Sequence, residues 1–315
     1  MHGRPPSTQL SGPSVPANLL WLAATSEGAR WLDALPGVIE QCSSQWDLQL
    51  HEAYPDSYVS FVAPVILPQG GEAVLKVQFP HRESDLEAEA LAVWDGAGAV
   101  RLLEHDPALH ALLIEKCLPG THLSSRGGEE GLGVIVGLLP RLMKQAGEPF
   151  LTLSEEAARW VSQLPGQWHK AGRPFERRLL DAALDLLKVL AATQGEQVLI
   201  HQDLHPDNVL RAQREPWLVI DPKPLTGERD FSAAPVVRSY ELGHRRSDVL
   251  RRLDRLIGEL DLDPERARGW ALAQTLAWSF EGDEVLHHHV ETARWLLPPA
   301  PHPGLGREGS GPPLG

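Results

Sequence analysis

Apolar residues recur along the chain with two periods, and the change between them divides it. From about residue 17 to 46, Trp21, Trp31, Leu32, Leu35, Val38 and Ile39 return at helical spacing. Ser57 to Leu67 is instead rich in β-branched and aromatic residues. Gln69-Gly70-Gly71 makes a turn, and Glu72 to Phe79 completes a hairpin. Arg82 to Trp94 returns to a helical stripe of Leu86, Ala90, Leu91 and Trp94. Val100 to Glu104 and Ala111 to Glu115 predict two short strands, and from Glu129 onward the pattern is mostly helical. Strands first and helices after predict an α+β protein in two parts. A β-rich part with a helical extension is expected over 17–116, and a helical part over 117–296. Residues 1–16 and 297–315, rich in Pro, Gly or Ser, predict disordered tails.

One polar residue interrupts this pattern. Lys76 sits inside Val74-Leu75-Lys76-Val77, where burial is costly without a partner. Glu87 and Glu89 on the following helix are candidate partners. Glu87 is favoured because it lies four residues before Leu91 on the packed stripe.

Composition narrows the classes. The chain has 315 residues, 42% of them apolar, and a net charge of −13. That balance argues against a nucleic-acid surface and is compatible with a cationic small molecule. No apolar run approaches a membrane span and none resembles a signal peptide, so a cytoplasmic monomer without a membrane partner is expected. Two cysteines, Cys42 and Cys117, give no disulfide framework.

The chemistry is concentrated in Ile200 to Val209, which reads I-H-Q-D-L-H-P-D-N-V. His201-x-Asp203 followed by Asn208 has the spacing of a protein-kinase catalytic loop. In such a loop the Asp receives the proton of an attacking hydroxyl and the Asn holds magnesium. Asp221, at the end of the apolar run 217–220, stands where a second metal-holding carboxylate is expected. The usual D-F-G reads Asp221-Pro222-Lys223, which points to small-molecule rather than protein substrates. A metallohydrolase built on His201, Asp203, His205 and Asp207 is the competing metal reading. Pro206 breaks any helix that would present those four on one face. Glu115 and Lys116-Cys117-Leu118-Pro119-Gly120 are read as a hinge whose backbone meets a nucleotide base. Glu281, Asp283 and Glu284, expected at a helix end, read first as a solvated cap, with a site for a cationic substrate as the alternative. Consecutive His287, His288 and His289 point in different directions on a helix, which argues against a shared metal, and the tryptophans at 21, 31, 94, 270 and 278 are read as packing residues.

The chain resembles the aminoglycoside and hydroxyurea phosphotransferases, with streptomycin 6-kinases the nearest group. The resemblance runs between the tails. It includes Gly28-Ala29-Arg30-Trp31, Trp46-Asp47-Leu48, Val74-Leu75-Lys76-Val77, Trp94-Asp95-Gly96 and Asp221-Pro222-Lys223-Pro224-Leu225. It implies a bilobal protein-kinase-like fold and an ATP- and magnesium-dependent kinase for a hydroxyl of an aminoglycoside such as streptomycin. It implies Asp203 as base, with His201 beside it, and Asn208 and Asp221 as magnesium ligands. Lys76 and a nearby glutamate would orient the phosphates, and Ser57 and Tyr58 would cover them. Another small metabolite as acceptor, or a non-catalytic binding protein, are the alternatives. Ser232 departs from the family, which usually carries Asp after the Phe. Its hydroxyl is expected to make a neutral bond to the catalytic loop where the carboxylate would brace it. Asp207 stands where Gly is common.

Overall fold

The computed structural model describes residues 15–298, except 83, 84 and 283. Asp283 and most of both expected tails lie outside the described residues. The chain begins with a 3₁₀ turn, Ala17–Ala24, and α1, Ser26–Gln45, in place of one helix over 17–46. Thr25 makes the break. Its hydroxyl accepts the Gly28 N–H at 3.0 Å, capping α1. A Cβ on Gly28 would lie 2.0 Å from the Leu22 carbonyl oxygen, so only glycine allows this close approach.

Next come β1 (Gln49–Leu50), β2 (Ser60–Ile66), β3 (Glu72–Gln78), α2 (Glu87–Trp94), β4 (Leu102–Asp106) and β5 (Ala111–Glu115). The five strands form an antiparallel sheet in the order β1-β2-β3-β5-β4. Three expected boundaries move. The strand expected from Ser57 begins at Ser60, and the helix expected from Arg82 begins at Glu87. The strand expected over 100–104 occupies 102–106, where the register shifts between Leu102 and Glu104.

Alternation along β3 orients Lys76. Ala73, Leu75 and Val77 pack into a core with Leu35 and Ile39 of α1. Val74, on the other face, joins Leu91 and Trp94 of α2 and Leu112 and Ile114 of β5. Lys76 shares the face of Val74 and so looks toward α2.

The remainder is mainly helical: α3 (Gly128–Leu142), α4 (Leu153–Lys170), α5 (Arg177–Ala192), α6 (Ala233–Arg238), α7 (Arg246–Leu260), α8 (Pro264–Ala277) and α9 (His287–Leu296). A capping box between Thr152 and Glu155 starts α4. Three short antiparallel pairs are set among them. Strand β6 (Gln197–His201) pairs with β9 (Pro224–Glu228), and β7 (Val209–Arg211) with β8 (Trp217–Val219). Strand β10 (Phe280–Glu281) pairs with β11 (Glu284–Val285). The Glu281 and Glu284 cluster therefore lies on a hairpin, not at a helix end. The β6–β9 pair places His201 opposite Pro224, so the loop after β6 and the turn before β9 emerge side by side. Trp160 stacks on Phe231, and Phe231 meets Trp270 edge-on, at centroid distances of 6.2 and 5.3 Å. No helix among the described residues is long and apolar enough to cross a membrane.

Candidate active site

The sheet side of the cleft is organised by Lys76. Its Nζ donates to Glu87 Oε2 at 2.5 Å and also bonds Asp221 Oδ1 across the cleft. Gln78 Nε2 donates to the same Glu87 oxygen at 2.7 Å. Of the two candidate glutamates, Glu87 is the one that meets Lys76. Lys76 is 5% exposed and Glu87 is 1%. Burial opposes the lysine charge, but Asp221 and Glu87 hold the ammonium above its ordinary range. Burial pushes Glu87 up to about 7, with Lys76 pulling the other way. Burial also works against the Asp221 charge, yet Lys76 lowers this carboxyl below its usual value.

Asp221 adopts φ +52°, in the left-handed region that Asp tolerates better than most residues. Its side chain is about half exposed. Asn208 donates its amide Nδ2 to the Asp203 carbonyl at 3.0 Å, leaving the amide oxygen as the end available to a ligand. One carboxylate and one amide oxygen at the cleft are the hard donors that magnesium takes alongside phosphate and water, and the pair fits that ion.

The loop after β6 carries Asp203. Lys223 Nζ lies 2.8 Å from Asp203 Oδ2, and Arg238 Nη2 2.8 Å from Oδ1. Both cations rest on the Trp278 ring, at 5.2 and 4.2 Å from its centroid. Burial opposes the Asp203 charge, but Arg238 and Lys223 hold the carboxyl far below the usual range. His201 is buried and pushed down to about 4, so it is neutral. Its Nδ1 accepts the Asp203 N–H at 3.2 Å and its Nε2 faces the Ile220 carbonyl at 3.3 Å. That ring ties the loop to the strand before Asp221 and is turned away from any four-residue metal cluster.

A cavity of about 500 Å³ opens beside Asp203. Its lining includes His205, Arg238, Tyr240, Glu241, Glu281, His288 and His289. Glu241 Oε1 lies 3.2 Å from His205 Nδ1, and Glu241 Oε2 accepts Ser239 Oγ at 2.8 Å. Burial opposes the Glu241 charge, but the His205 bond brings it down to about 2. His205 is raised above its ordinary value by Glu241 and Asp203, against burial. Asp207 accepts a bond from Ser124 Oγ, and His205, Asp207 and Glu241 bring one ligand atom each within 4.8 Å of one another.

Ser57 and Tyr58 lie in the loop before β2, held by the opening 3₁₀ turn. Asn18 Nδ2 donates to the Ser57 carbonyl at 2.5 Å, and Trp21 Nε1 to the Tyr58 carbonyl at 3.1 Å. Trp21, expected in the core, is instead 45% exposed and stacks on Tyr58 at 4.8 Å. The Tyr58 hydroxyl reaches Glu281 Oε1 at 3.5 Å, spanning the cleft. The Glu115 carboxylate is taken by Arg214 at 2.9 Å and by the Arg101 N–H at 3.0 Å. Cys117 is buried, and burial pushes its thiol up to about 12. Neither side chain is therefore free to meet a ligand.

Two expectations change. Trp278 packs against the core only in part, and its ring is also the platform under Lys223 and Arg238. His288 and His289 line the cavity, with His289 Nδ1 2.7 Å from the Trp278 carbonyl. The Ser232 hydroxyl is buried and makes no hydrogen bond among the described residues. Asp230 does not compensate, because its carboxylate accepts the Asp263 N–H at 2.7 Å. Sequence reasoning also missed Lys223, Arg238 and Glu241. Lys223 had a signal, as a cation beside a metal-site aspartate. Arg238 and Glu241 lie in a stretch with no motif.

A sheet-borne lysine and glutamate reaching an aspartate on a helical half is the framework of protein-kinase-like phosphotransferases, and the shape of the whole molecule agrees. The choline kinase LicA of Streptococcus pneumoniae superposes with a TM-score of 0.59, covering 83% of this chain and 98% of its own. At 14% identity that likeness is one of fold. The sequence goes further. Residues 45–282 match the aminoglycoside/hydroxyurea antibiotic resistance kinases, and the chain belongs to that family. It is 38% identical to the hydroxyurea phosphotransferase of Kitasatospora aureofaciens over 289 residues, 89% of this chain and 84% of that one. It is 36% identical to the streptomycin 6-kinase of Streptomyces griseus over 265 residues, 81% and 86% of the two chains. The chain is a phosphotransferase acting on a hydroxyl acceptor.

Proposed function

We propose that this kinase transfers the γ-phosphoryl group of ATP, with magnesium, to a hydroxyl of a cationic aminoglycoside of the streptomycin type. The observation that carries the choice of acceptor is the cavity beside Asp203. Its volume suits a drug-sized ligand, and Glu241 and Glu281 place two carboxylates on its wall.

In this reading Asp203 orients the acceptor hydroxyl and receives its proton as the phosphoryl group leaves ATP. A carboxyl held so far down by Arg238 and Lys223 is a weak base, so its main contribution is aim. That suits a loose transition state in which little charge builds on the nucleophile before transfer. Lys76, fixed by Glu87, holds the nucleotide phosphates. Lys223 and Arg238 supply positive charge where the transferred group passes. Asn208 and Asp221 would hold magnesium, which neutralises phosphate charge when bound. Ser57 and Tyr58 cover the phosphates, and the Glu115 to Cys117 backbone meets the base.

Hydroxyurea is the second reading, motivated by the 38% identical relative. It is small and neutral, so it would leave most of the cavity and both glutamates unused. Initial rates of ADP formation with streptomycin and with hydroxyurea separate the two. Saturable stimulation by hydroxyurea alone would overturn the aminoglycoside assignment.

A further inference from the structure

An aspartate that works by aim depends on the backbone that carries it. Residue 202 sits between His201 and Asp203, is 3% exposed, and donates its N–H to the Lys223 carbonyl at 3.1 Å. Its own carbonyl accepts Gln274 Nε2 at 2.8 Å. Gln274 is fully buried in the last turn of α8, 72 residues away in sequence. Asn208 also donates to a carbonyl of this loop, at Asp203, but Asn208 belongs to the loop itself. Gln274 ties the loop to a separate, rigid element.

The surroundings of this contact are unusual. Ser232 is 2% exposed and its hydroxyl has no hydrogen-bond partner among the described residues. Gln202 Oε1, Gln274 Oε1 and Thr275 Oγ1 are buried without partners as well. Buried polar atoms are ordinarily matched, and two of these belong to the residues that the loop–α8 bond joins, Gln202 and Gln274. The Phe231 ring, next to Ser232, meets Trp270 edge-on at 5.3 Å, one turn before Gln274 on the same face of α8. The segment that carries Ser232 packs against α8, yet the Ser232 hydroxyl bonds nothing among the described residues, while the α8 amide reaches the loop.

We propose that Gln274 is the positioning residue of the catalytic loop, taking over from α8 the brace that Ser232 cannot provide. It fixes the carbonyl one residue before Asp203 and so sets the reach of that carboxylate toward the acceptor. The proposal rests on the reading of Asp203 as the group that aims the hydroxyl.

The test is hydrogen–deuterium exchange over residues 201–208 in the full chain, with turnover of ATP, magnesium and streptomycin as a second readout. Gln274→Met keeps the side-chain length and removes the donor. The expected result is faster exchange confined to the loop, with kcat about 10- to 100-fold lower at unchanged ATP KM. In an Asp203→Asn background Gln274→Met adds no further loss of kcat, because both act through one group. Ser232→Ala, which removes only an unbonded hydroxyl, leaves exchange in the loop as it was. Unchanged loop exchange in Gln274→Met, or faster exchange in Ser232→Ala, would overturn the proposal. Full turnover in Asp203→Asn would instead overturn the reading of Asp203, and the exchange data would still decide the brace.

Discussion

The two sides of the cleft are built in opposite ways. On the nucleotide side, Lys76 and Glu87 are almost completely buried and complete each other. On the acceptor side, His205 and Glu241 keep about a quarter of their side chains exposed, and Tyr240 is 58% exposed. Charges on the first side are part of the fold, since losing one leaves the other stranded in a medium that cannot solvate it. The His205 and Glu241 charges on the second side are partly screened by solvent and can be changed at smaller cost to stability. Under the proposed function, reaction and specificity are held by separable parts, with Asp203 at their junction.

The largest expected effect lies at that junction. Asp203→Asn should lower kcat by about 10²–10⁴-fold while nucleotide binding persists, as steady-state rates and nucleotide titration would show. Wild-type turnover in this variant would remove the junction altogether.

Lys76→Met tests the nucleotide side. It strands Glu87, so urea unfolding should show a stability loss of about 3–5 kcal/mol, together with weaker nucleotide binding. A loss of binding at unchanged stability would show that the pair is not part of the fold. Glu241→Gln is the counterpart on the acceptor side. It should raise the KM for streptomycin about 10-fold, one charge-assisted bond, with the ATP KM unchanged and a far smaller loss of stability than in Lys76→Met. If it destabilised the protein as much as Lys76→Met, the contrast between the two sides would fail.

Where the sequence was legible follows the same line. Asp203, Asn208 and Asp221 lie within one loop and the strand pair after it, so local spacing was enough to expect them side by side. Lys76 was legible because a lone charge broke an apolar strand. The α+β order was legible because period 2 gives way to period 3.6. The acceptor wall was not. Arg238, Glu241, Trp278, His288 and His289 come from α6 and the turn after it, the end of α8, and α9. Only tertiary packing brings them together, and a tryptophan on a helical stripe reads as core until its neighbours are known. Ser232 failed differently. Its residue type permitted a bond, and only the packing of Gln274 shows where the loop is tied.

The smallest expected effect is on pH. Glu241 holds the His205 proton above the ordinary histidine range, so the pair's stabilisation is fully present below about pH 6.5 and lost as pH rises through the raised value. Acceptor binding should move the other way. Deprotonating His205 frees the Glu241 charge, so the streptomycin KM should fall over the same interval. Parallel melting and KM profiles would show opposite slopes, and His205→Asn should flatten both. Slopes of the same sign would break the link between this pair and the acceptor.

The most direct test of the account is magnesium-dependent ATP consumption by the purified protein with streptomycin, with hydroxyurea, and with neither, alongside Asp203→Asn. Streptomycin-dependent turnover that is lost in the variant is the predicted result. Equal turnover in the variant, or stimulation by hydroxyurea and not by streptomycin, would contradict it.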